Sequence, residues 1–372
     1  MDAGRGGRLG RGTRLAVALA ALAACGPPRA ELAGELDGLP PRSTAFANGT
    51  AWVAGAESGM LHAVRIAGDG RPREAGRIPV PGRVDAMAAA GGRLLLAITA
   101  DSAALMAPTA REWLARGWLP GALSLVLLDV AGPRPRVTGT AAVPVGASTG
   151  ARQVVLDGAR AFVVTDRGVW LADVSGPAPR VLARIAPRGA AVAAAGRHVY
   201  VAEGAADAGP GGVAVLEVAA DGAVRELGRL DARALGEPED GAVLAAAVSA
   251  VAAAGGRVYL GVRVDGRQRP RRALVAVDVH DPARPQVAAR VELDYVDGIV
   301  ARGERLYAYG SGNSRALLGV FDVSRPGPPR EVGTYDVDEL TDISAIGALH
   351  VAGRHLVLHS AGRGITVLRI PH

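Results

Sequence analysis

The sequence predicts an all-β chain, a single β-propeller of seven blades whose last blade is closed by the N-terminal strand. Three observations predict it. A glycine- or asparagine-bearing turn recurs before an apolar strand, an acidic-aliphatic pair recurs at the end of the next strand, and the final repeat stops before its outer strand. Self-similarity at this scale is the signature of a repeat architecture, in which each unit buries its apolar faces against its neighbours.

Aligned on the first of these apolar strands, Trp52, Leu95, Phe162, Tyr200, Tyr259, Tyr307 and Val357 share one position. The preceding turns read Asn48-Gly49, Gly91-Gly92, Gly158-Ala159, Gly196-Arg197, Gly255-Gly256, Gly303-Glu304 and Gly353-Arg354. Glycine and asparagine supply the positive φ that tight hairpins need. The second strand ends in Asp129-Val130, Asp173-Val174, Glu217-Val218, Asp278-Val279 and Asp322-Val323, with Arg65-Ile66 and Arg369-Ile370 in the outermost repeats. A proline turn follows, as in Ser175-Gly176-Pro177-Ala178-Pro179. A β-sandwich of similar strand spacing is the competing reading, but it does not need seven equivalent turns in register.

The last repeat ends at Ile370-Pro371-His372, after its third strand. The segment from Gly26 to Gly34 reads like the fourth-strand segment Gly327 to Gly333, so a strand at about Glu31 to Leu36 is expected to complete the seventh blade. The strand, Asp-Val pair and proline turn resemble the LVIVD repeat family. That resemblance implies a propeller on a bacterial or archaeal cell surface and says almost nothing about activity.

Upstream lie Arg5, Arg8, Arg11 and Arg14, then an apolar run from Leu15 to Ala24. This is signal-peptide architecture, too short for a permanent membrane span. It ends in Leu22-Ala23-Ala24-Cys25-Gly26, which resembles the lipobox of bacterial lipoproteins. Cys25 is the only cysteine, as expected of a residue that is acylated rather than paired. The expected organisation is therefore a signal peptide over 1–24, a lipid-anchored spacer over 25–30 and the propeller over 31–372. Membrane attachment runs through the lipid on Cys25, and Gly26 resembles the sorting residue of outer-membrane lipoproteins in a Gram-negative host. Because the closing strand starts a few residues after Cys25, the tether is expected on the face made by the short turns.

The formal charge is +6, of which the leader carries half. No lysine is present, the arginines read as scattered, and aromatic residues make up 3%, which argues against nucleic acid as a partner. First-to-second and third-to-fourth strand turns form one face of a propeller, and the remaining connections form the other. Length varies on this second face, at 101–122, 203–212, 231–244, 265–272 and 310–315, so binding is expected there. The largest insertion predicts a short helix after Thr109, ended by Gly117 and Pro120. Its Trp113 and Trp118 either patch the loop onto the propeller or form an exposed aromatic anchor for a partner.

Six residues before each turn, Arg42, Asp85, Arg152, Ala190, Ser249, Asp297 and Gly347 should ring the central channel. Asp85, Arg152 and Asp297 are candidate ligand contacts in this polar mouth. No nucleophile elbow, zinc-helix motif, phosphate loop or EF-hand pattern is present, and no cofactor or metal is expected. His355 and His359 lie about 13 Å apart along one strand face, too far to share a metal. The sequence thus leans away from an enzyme and toward an envelope propeller that binds a protein or ligand. The alternative is a propeller hydrolase with a metal or a carboxylate pair, Asp85 with Asp297, at the channel mouth.

Overall fold

The computed structural model describes residues 30–372 except for short loop segments, the longest at 100–109 and 204–210, and the last two residues. Seven four-stranded antiparallel sheets follow one another along the chain. Blades 1 to 6 span residues 41–79, 83–142, 151–186, 191–231, 246–293 and 298–336. Blade 7 takes three strands from residues 348–369 and its outer strand, β1 (Glu31–Asp37), from the N-terminus. The first strand of each blade touches the first strands of both neighbouring blades, so the sheets close into a ring around a central channel.

Seven separate hydrophobic clusters lie between adjacent blades, one at each interface. Middle strands are apolar on both sides because both sheet faces meet a neighbouring blade. Leu94 to Ile98 and Leu125 to Leu128 are buried without alternation. All seven residues aligned from the sequence, from Trp52 to Val357, sit on second strands and are buried. First strands are half polar toward the channel, and fourth strands are exposed.

The repeated acidic-aliphatic pair has a physical role. The aliphatic residue's N–H donates to a carbonyl of the first-to-second turn, as in Val130 to Gly92, Val174 to Ala159, Val218 to Arg197 and Val323 to Glu304. The aspartate before it accepts the N–H two residues on: Asp129 from Ala131, Asp173 from Ser175, Asp278 from His280 and Asp322 from Ser324. One pair therefore ties the two turns of a blade together and caps the proline turn.

β1 pairs antiparallel with the last strand, Glu31 opposite Arg369 and Asp37 opposite Gly364. Its register slips between Leu32 and Gly34, placing a bulge at Ala33. Outer strands bulge at the same step elsewhere, between Leu127 and Leu128 or Val320 and Phe321 on their partners. The bulge at Val332 and the one at Ala33 are the positions that the repeat alignment makes equivalent. Bulges twist an exposed edge away from intermolecular pairing. Glycine after the bulge admits the next blade's turn: a Cβ on Gly139 would lie 2.4 Å from the Ala178 Cβ, and one on Gly34 2.7 Å from the Pro72 Cδ.

Candidate functional site

The seven channel positions fall where the sequence places them. Arg42, Asp85, Arg152 and Ser249 are the bulged residues of their first strands, skipped in the register with the second strand. Ala190, Asp297 and Gly347 stand at the same point, each donating its N–H to the second strand just before regular pairing begins. A bulge re-aims a side chain without ending the strand, so the fold turns these residues toward the channel mouth.

Their environments differ. The Asp85 carboxylate accepts Arg83 Nε at 2.8 Å and the Thr99 hydroxyl, with Arg42 Nε at 3.8 Å, and its side chain is only 3% exposed. Gly150 leaves the space this carboxylate fills, since a Cβ there would lie 2.9 Å from Asp85 Oδ2. The expectation that Asp85 is solvent-accessible is therefore corrected: it is a buried, fully engaged acceptor. Asp297 is open, with a side chain 48% exposed, its Oδ2 accepting the Ser311 N–H at 2.9 Å and its Oδ1 3.5 Å from Arg272. The two aspartates belong to blade 2 and to the link before blade 6, and each is compensated by its own arginine. They are not arranged as a carboxylate pair. Arg152, on the first strand of blade 3, is exposed.

Polar side chains stitch neighbouring blades around the same ring. Gln153 receives the Val192 N–H at 2.8 Å and donates to its carbonyl, and Ser249 donates to the Val296 carbonyl. At the seam between blades 7 and 1, Thr44 meets His350 Nε2 at 2.8 Å, and His359 Nε2 donates to the Pro41 carbonyl at 2.7 Å. Burial drives the His350 pKa down to about 4 and lowers that of His359, so both rings are neutral at pH 7. Among the described residues no group of three or more histidine, cysteine or acidic side chains could hold a metal.

The insertion in blade 2 forms a short helix, α1 (Ala110–Ala115), as expected. Trp113 and Trp118 are 4% and 1% exposed and join the core between blades 1 and 2. This overturns the exposed aromatic anchor: the indoles offer more apolar surface than any nearby side chain, and folding spends it on the core. The exposed apolar side chains here are Leu114, at 46%, and Leu119, at 53%. Nothing in the sequence pattern sets these leucines apart from core leucines, yet each directly follows a buried indole, Leu114 on α1 and Leu119 in the segment after it. The loop face also carries α2 (Ala232–Leu235), a hairpin pairing Glu237–Glu239 with Ala242–Leu244, and α3 (Val337–Thr341).

Grooves occur on the opposite face, between the turns of adjacent blades, with volumes of about 640 Å³ between blades 3 and 4 and about 400 Å³ between blades 5 and 6. Arginines clasp across them: Arg93 donates to the Val174 and Ser175 carbonyls, Arg160 to those of Gly196 and Val218, and Arg257 to Gly327. The available signal was an arginine opening the second strand, directly after the turn, in four of the repeats.

Cys25 and the leader lie outside the described residues. No described helix is long and apolar enough to cross a membrane.

No family model matches this chain. No curated protein matches it either. Solved structures do. The β-propeller domain of Vanderwaltozyma polyspora Nup133 aligns with a TM-score of 0.59 at 9% identity, over 92% of this chain and 96% of that one. The β-propeller domain of Myceliophteria thermophila Cps50 (Swd1) aligns at 0.57 and 12% identity, over 92% and 100%. The WD40 domain of Toxoplasma gondii coronin aligns at 0.56 and 11% identity, over 93% and 85%. The likeness is one of fold. It supports a seven-bladed propeller and carries no residue of a site.

Proposed function

We propose that this chain is a lipid-anchored cell-envelope propeller that binds a protein partner through its loop face. One observation carries the reading. The turn face repeats a single hydrogen-bonded device, whereas the loop face bears α1, the 237–244 hairpin and α3 beside a polar channel mouth with an open Asp297 and Arg152. Elements added to one side of a rigid scaffold, with apolar Leu114 and Leu119 left exposed, are what a binding surface requires. The lipobox around Cys25 and the LVIVD-like repeats support the cell-surface setting. The Asp85–Asp297 carboxylate pair of the hydrolase alternative loses its basis here, since Asp85 is buried and paired with Arg83.

Two measurements test the reading. Mass spectrometry of the mature N-terminus should show an acylated glyceryl-cysteine at Cys25. Purification from detergent-solubilised membranes should bring down one partner at fixed stoichiometry, and Leu114→Asp with Leu119→Asp should release it while leaving the fold intact. A free thiol at Cys25 would remove the anchor, and a partner indifferent to these substitutions would remove the loop face.

A further inference from the structure

Charge is sorted between the two faces although it looks scattered along the chain. In the described connections of the turn face, flanking strand ends included, fifteen arginines face ten acids; in those of the loop face, thirteen acids face five arginines. Seven of the ten turn-face acids are engaged by the backbone. Asp69, Asp221 and Asp281 each accept an N–H two residues ahead, as do Asp129, Asp173, Asp278 and Asp322 of the repeat pair. The arginines project instead. Arg136, Arg284, Arg325 and Arg354, in blades 2, 5, 6 and 7, are exposed and make no ion pair with a described residue. All belong to turns or strand ends on one side of a closed ring, so one plane can meet them together.

The first described residues of the chain lie on that side. Glu31 stands opposite Arg369, where a third-to-fourth turn would lie, and Ala30 is already packed in the core between blades 6 and 7. A proline-rich spacer reaches at most about 3.1 Å per residue, so residues 25–29 cannot carry an anchor to the far face.

We propose that the turn face is a docking surface for an anionic lipid bilayer, its unpaired arginines contacting phosphate-bearing headgroups and its interblade grooves lying over them. The inference takes its place at a membrane from the lipid-anchor reading, but the electrostatic contact stands on the charge arrangement itself. Guanidinium forks bind phosphate bidentately, and their long stems let them reach beyond the turns. A basic residue near an anionic leaflet strengthens association about fivefold. The acidic loop face is repelled by the same surface, which makes the orientation one-sided.

The test uses the full-length protein reconstituted in vesicles of phosphatidylcholine alone or mixed with phosphatidylglycerol, read by flotation and by hydrogen exchange of the turns at 129–136 and 278–286. Flotation in both compositions reports the anchor; protection of the turns only in the anionic vesicles, reversed by salt, reports headgroup contact. Arg136→Gln, Arg284→Gln and Arg325→Gln together should reduce the docked-to-free ratio on the order of a hundredfold without changing flotation of the anchored protein. If the protein floats only with anionic vesicles, the anchor fails and the lipid surface stands. Equal protection in both compositions, no flotation in either, or protection by short single-stranded RNA but not by vesicles would overturn the proposal.

Discussion

The two faces of this propeller are built by opposite rules. On the turn face the blades draw on one set of devices: an aliphatic N–H bonded across to the first turn in six blades, an aspartate capping the turn in blades 2, 3, 5 and 6, and an outer-strand glycine making room for the next blade's turn at Gly34, Gly139 and Gly228. On the loop face the connections run from two residues, between Thr165 and Gly168, to twenty-three, between Thr99 and Leu123, and three helices and an extra hairpin are placed there. The difference teaches that a repeat can be held by backbone geometry on one side while the other side is released for recognition. Perturbing each face in turn sharpens that contrast.

The largest effect is expected where a loop-face element has become core. Trp118→Ala should cost about 3–5 kcal/mol in urea unfolding, because a buried indole leaves a cavity between blades 1 and 2. A change near zero would mean that α1 is detachable from the propeller.

On the turn face, Gly139→Ala should cost about 1–3 kcal/mol, since its Cβ meets the Ala178 backbone at 2.6 Å. Gly76→Ala in the outer strand of blade 1, with open space around it, is the matched control and should be tolerated. Equal losses would show that strand propensity, not the close approach, sets the cost.

The channel seam adds a pH dependence. His350 is depressed to about 4 and His359 is lowered as well, both by burial, whereas in the unfolded chain they titrate near 6.5. The unfolded state therefore binds more protons in this interval. Stability is complete above pH 6.5 and is lost as pH falls toward 4, by on the order of 2 kcal/mol. His350→Asn should flatten much of that slope in a pH series of thermal melts, and an unchanged slope would assign it to carboxylates. Lowered Asp173, Asp278 and Asp322 act later: their contribution is present above about pH 4 and vanishes in stronger acid.

Within the ring, Asp85→Asn should cost about 1–2 kcal/mol by weakening the bonds its buried carboxylate accepts from Arg83 and Thr99, while Asp297→Asn should change stability by less than about 0.5 kcal/mol. Two aspartates at equivalent positions would thus be separated by burial alone.

Much of the fold was legible because turns, strand pairs and outer-strand repeats are local and periodic. β1 and the channel positions from Arg42 to Gly347 follow from register along the chain, whereas the bulge at Ala33 shows only in the pairing. What stayed hidden depends on contacts between blades. Whether Trp113 packs or protrudes is decided by blade 1, and the burial of Asp85 by Arg42 and by the space above Gly150. The arginines read as scattered because successive connections alternate between faces, so an unsorted count averages a basic side with an acidic one.

The account stands most directly on orientation, turn face toward the bilayer and loop face away. Trypsin supplies the measurement, since Arg111 and Arg116 lie in the blade 2 insertion, and Arg136, Arg197 and Arg354, none of them followed by proline, lie exposed in turns or strand ends of the opposite face. With the protein reconstituted in vesicles containing phosphatidylglycerol, cleavage after Arg111 or Arg116 should proceed as fast as in detergent, while cleavage after Arg136, Arg197 and Arg354 should slow. The reverse pattern, an insertion shielded by the bilayer with the turns left open, would contradict it.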